Sequence, residues 1–144
     1  MQPTKRILIV DRSALFRATL VRYLRLLDAD YEVIGEAATD EAALLEVAQL
    51  QPQIVLLDLD LPDRSGLGTI NDIRRRWSDI AVIAVTNHLD GEYCIAARAA
   101  GAYDCLDKLA LVEQLPAVLA AISSSAHPAL PDGELDLTSS YEPP

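Results

Sequence analysis

Four short strings carry side chains suited to phosphoryl chemistry: Asp11-Arg12, Asp58-Leu59-Asp60, Thr86-Asn87-His88 and Asp107-Lys108. A carboxylate can attack phosphorus and carry the group as an acyl phosphate. A second carboxylate can hold Mg²⁺, a hard cation that takes oxygen ligands and neutralises phosphoryl oxygens. A hydroxyl and an ammonium can bind those oxygens directly. Taken singly, each residue has an ordinary explanation: an Asp or Thr after a strand is a cap or turn residue, and a lone lysine is a surface charge. Their joint order, one string after another along the chain, is what points to a shared site.

Elements must bring these strings together. The first follows the apolar run Ile7–Val10, the second Ile54–Leu57, the third Ile80–Val85, and the fourth an expected short strand at Ala102–Leu106. The first three are nearly continuous runs of Val, Ile and Leu, as in strands buried on both faces. Tyr31–Ala37 alternates more and reads as a strand nearer an edge.

Helical patterns fill the intervals. Ser13 can cap a helix carrying Phe16, Leu20, Leu24 and Leu27. Thr39 or Asp40 can cap a second, with Ala43, Val47 and Leu50 on its apolar face. A third runs from Ser65 through Trp77, weakened at its start by Gly66 and Gly68, and a fourth from Asp90 through Ala100 stops at Gly101. The last spans Leu111 to Ile122, and Pro116 within it removes a hydrogen bond, so a late start or a bend is expected. Five strand–helix repeats predict an α/β fold, (βα)5, with a doubly wound five-stranded parallel sheet. Ligands of such sheets bind beyond the carboxyl ends of the strands, where the four strings lie.

Composition bounds the rest. The 144 residues suit one domain, and 51% hydrophobic residues can build its core. Twelve basic against 22 acidic residues give a net charge of −10, which disfavours direct nucleic-acid binding. Arg74-Arg75-Arg76 reads as a solvated helix end beside a C-terminal dipole. Cys94 and Cys105 show no metal spacing and no C-x-x-C, so reduced, mostly buried thiols are expected. There is no long apolar run to span a membrane and no signal-peptide pattern, so a cytoplasmic location is expected. After Ile122 the composition turns to Ser, Pro and acids with no Lys or Arg. Residues 4–122 are therefore expected to fold, with 123–144 a disordered tail or linker.

The strings ILIVDRSALFR, IVLLDLDLPDRSGLGTI, VIAVTNH and GAYDCLDK resemble the receiver domain of bacterial two-component response regulators, the CheY-like (flavodoxin-like) fold. Their wording is most similar to the NarL/FixJ subfamily. The resemblance covers roughly residues 4–122. It implies that Asp58 is the phosphoacceptor, Thr86 the switch hydroxyl and Lys108 its ammonium partner. It implies Mg²⁺ held by Asp11, Asp58 and the backbone carbonyl of Asp60, and matches Pro62 and Gly66 to the loop after the acceptor. The implied phosphodonor is a histidine kinase, a phosphotransfer protein or a small molecule. The implied output is a shift of the face built by the fourth helix, fifth strand and fifth helix, and a homodimer through the first helix or through the fourth and fifth helices is also implied.

Two positions depart from the family pattern. Arg12 stands where the second acid of the metal-binding pair is expected. Arginine supplies no oxygen ligand and adds a permanent positive charge, so metal binding is expected to be weak or absent. The guanidinium could also replace the metal, pair with Asp58, or turn outward. The switch aromatic expected three residues before the lysine is Cys105, and Tyr103 two residues earlier is its nearest substitute. His88 flanks the site and can change charge near neutral pH.

Three functions follow. The first is a receiver phosphorylated on Asp58, and not an enzyme beyond acquiring and losing its own phosphoryl group. The second is a phosphorylation-independent pseudo-receiver used for docking or dimerisation, which Arg12 favours. The third, a haloacid-dehalogenase-like phosphohydrolase, shares the D-x-D string. It is opposed because that string follows the third strand rather than the first, and because Glu113 stands alone after Lys108 as far as Ile122.

Overall fold

Continuous apolar runs build the centre of the sheet. In the computed structural model, which describes residues 4–27, 30–87 and 91–124, every residue of β3 (Ile54–Asp58) and β4 (Ala81–Thr86) is buried. They pair in parallel, and β3 pairs on its other side with β1 (Lys5–Val10). β2 (Tyr31–Ala37) and β5 (Asp104–Asp107) form the edges, giving the order β2-β1-β3-β4-β5. The alternating pattern of Tyr31–Ala37 had marked it for an edge, and it is one.

Side chains leave each strand on alternate faces, which divides the core in two. Ile7, Ile9, Ile54, Leu56, Ile83 and Val85 pack against α1 (Ala14–Leu27) and α5 (Leu111–Ser124) through Leu20, Leu24, Leu115 and Leu119. Leu8, Val10, Val55, Leu57, Val82 and Ala84 pack against α2 (Asp40–Leu50), α3 (Gly66–Arg76) and α4 (Gly91–Ala100) through Ala43, Val47, Ile70, Ile73 and Ala97. This is the doubly wound (βα)5 architecture the alternation predicts. Among the described residues no helix is long and apolar enough to cross a membrane.

Ser13 and Thr39 cap where expected, Ser65 caps the helix it was expected to begin, and several boundaries shift by a residue or two. Ser13, Thr39 and Ser65 hydroxyls accept from the Phe16, Ala42 and Leu67 backbone N–H groups. The fifth strand begins at Asp104 rather than Ala102. The cause is the way α4 ends. Gly101, at φ 117°, donates to the Arg98 carbonyl while Ala102 donates to Ala97, a Schellman closure that uses up the residues expected to start the strand. The last helix does not start late: a 3₁₀ turn at Lys108–Ala110 leads directly into it at Leu111. Pro116 leaves the Val112 carbonyl without its helical partner, and the Tyr23 hydroxyl of α1 donates to that carbonyl at 2.8 Å. The helix continues through Ser124, two residues beyond the expected boundary. The rest of the expected tail, and His88 and Asp90, lie outside the described residues.

The expectation for the cysteines is overturned. Cys94 on α4 and Cys105 on β5 form a disulfide, with Cα atoms 5.4 Å apart. Neither is a reduced thiol. Sequence spacing gave no sign of the pair because the approach is tertiary: α4 folds back over the strand that follows it, within the span a disulfide needs.

Candidate functional site

The chain runs from β1 outward to β2, then crosses back past β1 to β3. Strand order therefore reverses between β1 and β3, and the crevice at their carboxyl ends is where such sheets bind ligands. Asp11 directly follows β1, and Asp58 closes β3. Both are buried, at 1% and 2% exposure. Thr86 closes β4, also buried, in register with Asp107 at the end of β5. Lys108 follows immediately. Four strand ends thus bring together two carboxylates, a hydroxyl and an ammonium.

Lys108 joins the two acids. Its Nζ lies 2.6 Å from Asp11 Oδ2 and 3.7 Å from Asp58 Oδ2. The same ammonium sits 4.3 Å from the centre of the Phe16 ring, a cation–π contact that holds it over the acids. Phe16 was legible only as an apolar residue of the first helix; nothing in its spacing announced a role beside the lysine.

Local hydrogen bonds fix the carboxylates. Asp11 Oδ1 accepts from the Ser13 N–H at 2.8 Å, and Arg17 donates to the Asp11 carbonyl. Asp58 Oδ1 accepts from the Asp60 N–H at 3.0 Å. Burial pushes the Asp58 carboxyl above its ordinary range. The Asp60 N–H opposes that shift, the Asp11 charge adds to it, and Lys108 draws it back down.

The loop after β3 is held at both ends. Gly66 donates to the Leu59 carbonyl, and a Cβ at Gly66 would lie 2.7 Å from both the Asp58 carbonyl oxygen and Leu59 Cα. Only a glycine lets the start of α3 come this close to the acceptor strand. Asp63 caps α2 from this loop: its two oxygens accept from the Asp40 and Glu41 N–H groups, which hold its carboxyl below the ordinary range. Asp40 in turn accepts from the buried Thr69 hydroxyl at 2.5 Å. Asp63 and Thr69 escaped sequence reading, because a cap donated from 22 or 23 residues away has no local signature.

An open pocket of about 580 Å³ lies over Asp58, walled by Lys108, Asp60, Ser13, Ser65, Asn87 and Tyr93, with Arg12 among its lining residues. Arg12 is exposed, and among the described residues it forms no ion pair with Asp58. Cys105 is buried in the disulfide, and Tyr103 lies before β5, donating its N–H to the Val82 carbonyl.

The donors fit a hard cation in part. Asp11 Oδ2 is buried and accepts no hydrogen bond of good geometry, its near neighbour being the lysine. With Asp58 and the Asp60 carbonyl it offers the oxygen chemistry Mg²⁺ takes, and Mg²⁺ commonly completes its shell with water. Among the described residues, however, no three acids or other ligating side chains gather closely enough to hold a metal unaided.

A model of the response regulator receiver domain matches residues 7–120. The chain is 32% identical over 109 residues to a protein-glutamate methylesterase/protein-glutamine glutaminase of Agrobacterium fabrum, covering 75% of this chain and 31% of that protein. It is 39% identical over 103 residues to the KDP operon transcriptional regulatory protein KdpE of Escherichia coli, covering 71% of this chain and 44% of KdpE. The chain therefore spans less than half the length of either relative. A two-component response regulator of the LuxR family from Aurantimonas superposes with a TM-score of 0.79 at 28% identity, covering 90% of this chain and 91% of that one.

Proposed function

The chain belongs to the response regulator receiver domain family, and on that premise we propose that it accepts a phosphoryl group on Asp58 and passes the resulting state to a protein partner. One observation carries this reading: a buried carboxylate at the end of β3 opens onto a pocket with an ammonium 3.7 Å away.

Asp58 Oδ2 attacks the phosphorus of a phosphohistidine or small acyl phosphate. The new O–P bond forms as the donor's N–P or O–P bond breaks, and the donor leaves with the electron pair. The Asp60 N–H holds Oδ1, leaving the other oxygen to act as nucleophile. Lys108 moves its charge from the acids to the incoming phosphoryl oxygens, and the Thr86 hydroxyl provides a further contact. Bound Mg²⁺ would neutralise phosphoryl charge, held by Asp11, Asp58 and the Asp60 carbonyl. Arg12 at the pocket lining lowers metal affinity by its charge and by the acid it displaces.

The donor is a histidine kinase or phosphotransfer protein, and the output belongs to a partner or to a domain of a longer protein. A phosphorylation-independent docking module is the second reading, favoured by Arg12 alone.

Incubation with acetyl phosphate, in Mg²⁺ and separately in EDTA, followed by intact mass, tests both. An adduct that requires Mg²⁺ and disappears in Asp58→Ala supports the receiver. An adduct that survives EDTA assigns the metal's role to Arg12. No adduct from acetyl phosphate or from a phosphorylated histidine phosphotransfer domain favours the docking module.

A further inference from the structure

The Cys94–Cys105 disulfide joins the N-terminal half of α4 to the middle of β5. Neither cysteine lines the Asp58 pocket, but each adjoins a segment that does. Tyr93, next to Cys94, forms one wall of that pocket. Cys105 lies three residues before Lys108 and pairs in register with Ala84, two residues before Thr86. The rest of α4 is secured at its far end by the Gly101 closure and by the ion pair of Arg98 with Asp104. The end nearest the pocket has the disulfide as its covalent tie, and its Gly91, Glu92 and Tyr93 are exposed.

We propose that Cys94 and Cys105 form a reversible thiol–disulfide site whose redox state sets how firmly the N-terminal half of α4, with Tyr93, closes on the Asp58 pocket. The two residues differ in access: Cys94 is half-buried, whereas Cys105 is 8% exposed. A dithiol reductant therefore attacks Cys94 Sγ as its thiolate. The S–S bond breaks and Cys105 leaves as a thiolate that takes up a proton. The reductant's second thiol then displaces Cys94 from the mixed disulfide, and Cys94 takes up the second proton. Two electrons pass to the protein and the reductant departs as a cyclic disulfide. Disulfides of proteins in reducing compartments are of this transient kind, opened and closed by such chemistry.

The inference of pocket control rests on the phosphoacceptor reading, so the experiment reads α4 separately. The full chain is prepared oxidised with glutathione disulfide and reduced with dithiothreitol. Thiol alkylation with peptide mapping follows the bond, and hydrogen exchange follows the amides of residues 91–100. The rate of adduct formation from acetyl phosphate follows the pocket. The expected result is a linked Cys94–Cys105 peptide that reduction opens and glutathione disulfide restores. Exchange in residues 91–96 should quicken several-fold on reduction, and the phosphorylation rate should change several-fold with it. Cys94→Ser and Cys105→Ser should each match the reduced chain under both conditions, which controls for reductant effects. Absence of the linked peptide after oxidation overturns the proposal, as does equal exchange in the two states. If exchange changes and an adduct forms at equal rates, control of the pocket is refuted. If exchange changes and no adduct forms in either state, from acetyl phosphate or from a phosphorylated histidine phosphotransfer domain, the phosphoacceptor reading fails and the redox site stands.

Discussion

Replacing Lys108 by Met removes the charge that two buried carboxylates share while keeping an unbranched side chain against Phe16. The Asp11 and Asp58 side chains are each 1% exposed, with Lys108 Nζ at 2.6 and 3.7 Å. At an effective dielectric of about 20 the longer contact alone is worth roughly 4 kcal/mol before desolvation. Most of that is offset in the wild type by the cost of burying the ammonium. Breaking a buried pair typically costs ~3–5 kcal/mol, because a charge is left uncompensated. The pocket admits water here, so we expect the lower end, about 3 kcal/mol at pH 7.5, measured by urea denaturation. The pH dependence follows from the direction of the Asp58 shift. Its folded carboxyl already binds a proton more readily than the unfolded chain's, because of burial. Without the ammonium that tendency strengthens. The folded variant therefore binds more protons than its unfolded state, and its deficit shrinks as pH falls towards 5. Adding Asp58→Asn to Lys108→Met should recover about half the loss. A deficit below 1 kcal/mol at pH 7.5, or one unchanged at pH 5, would refute the account of Lys108 as the shared counter-charge.

Other substitutions probe the remaining supports. Arg12→Asp should raise Mg²⁺ affinity about tenfold or more by titration calorimetry, since it restores a carboxylate and removes a positive charge; unchanged affinity would separate Arg12 from the metal. Gly66→Ala places a methyl 2.7 Å from backbone on the acceptor strand, where no flexible side chain can yield. It should cost about 1–3 kcal/mol in denaturation and slow adduct formation on Asp58. Tyr23→Phe removes the hydroxyl donor to the Val112 carbonyl that Pro116 has freed; water replaces it at this exposed site, so the cost is the modest net worth of one hydrogen bond, about 0.5 kcal/mol. That cost should largely vanish in a Pro116→Ala background, where the residue 116 N–H satisfies the carbonyl instead, and equal costs in both backgrounds would count against the pairing.

The order of elements was legible because it is written in local periodicity. The runs at Ile54–Leu57 and Ile80–Val85 can bury both faces only as central strands, and the spacing of Leu20 and Leu24 can bury one face only as a helix. Given that order, right-handed crossovers leave few arrangements, so the side chains after each strand had to meet at one edge. The sequence by itself thus determined the architecture, and which acids, hydroxyl and amine would be neighbours. It did not determine how they pair. That Lys108 bridges Asp11 and Asp58, that Phe16 lies beneath its charge, and that Tyr23 serves the carbonyl freed by Pro116 are distances between residues up to 97 positions apart. The disulfide is the clearest case: the two cysteines lie eleven positions apart with no recognisable spacing, and only the return of α4 over β5 brings them within bonding distance. Periodicity reports which face a residue turns to the core, whereas contact between faces depends on how the layers dock, and only the folded chain decides that.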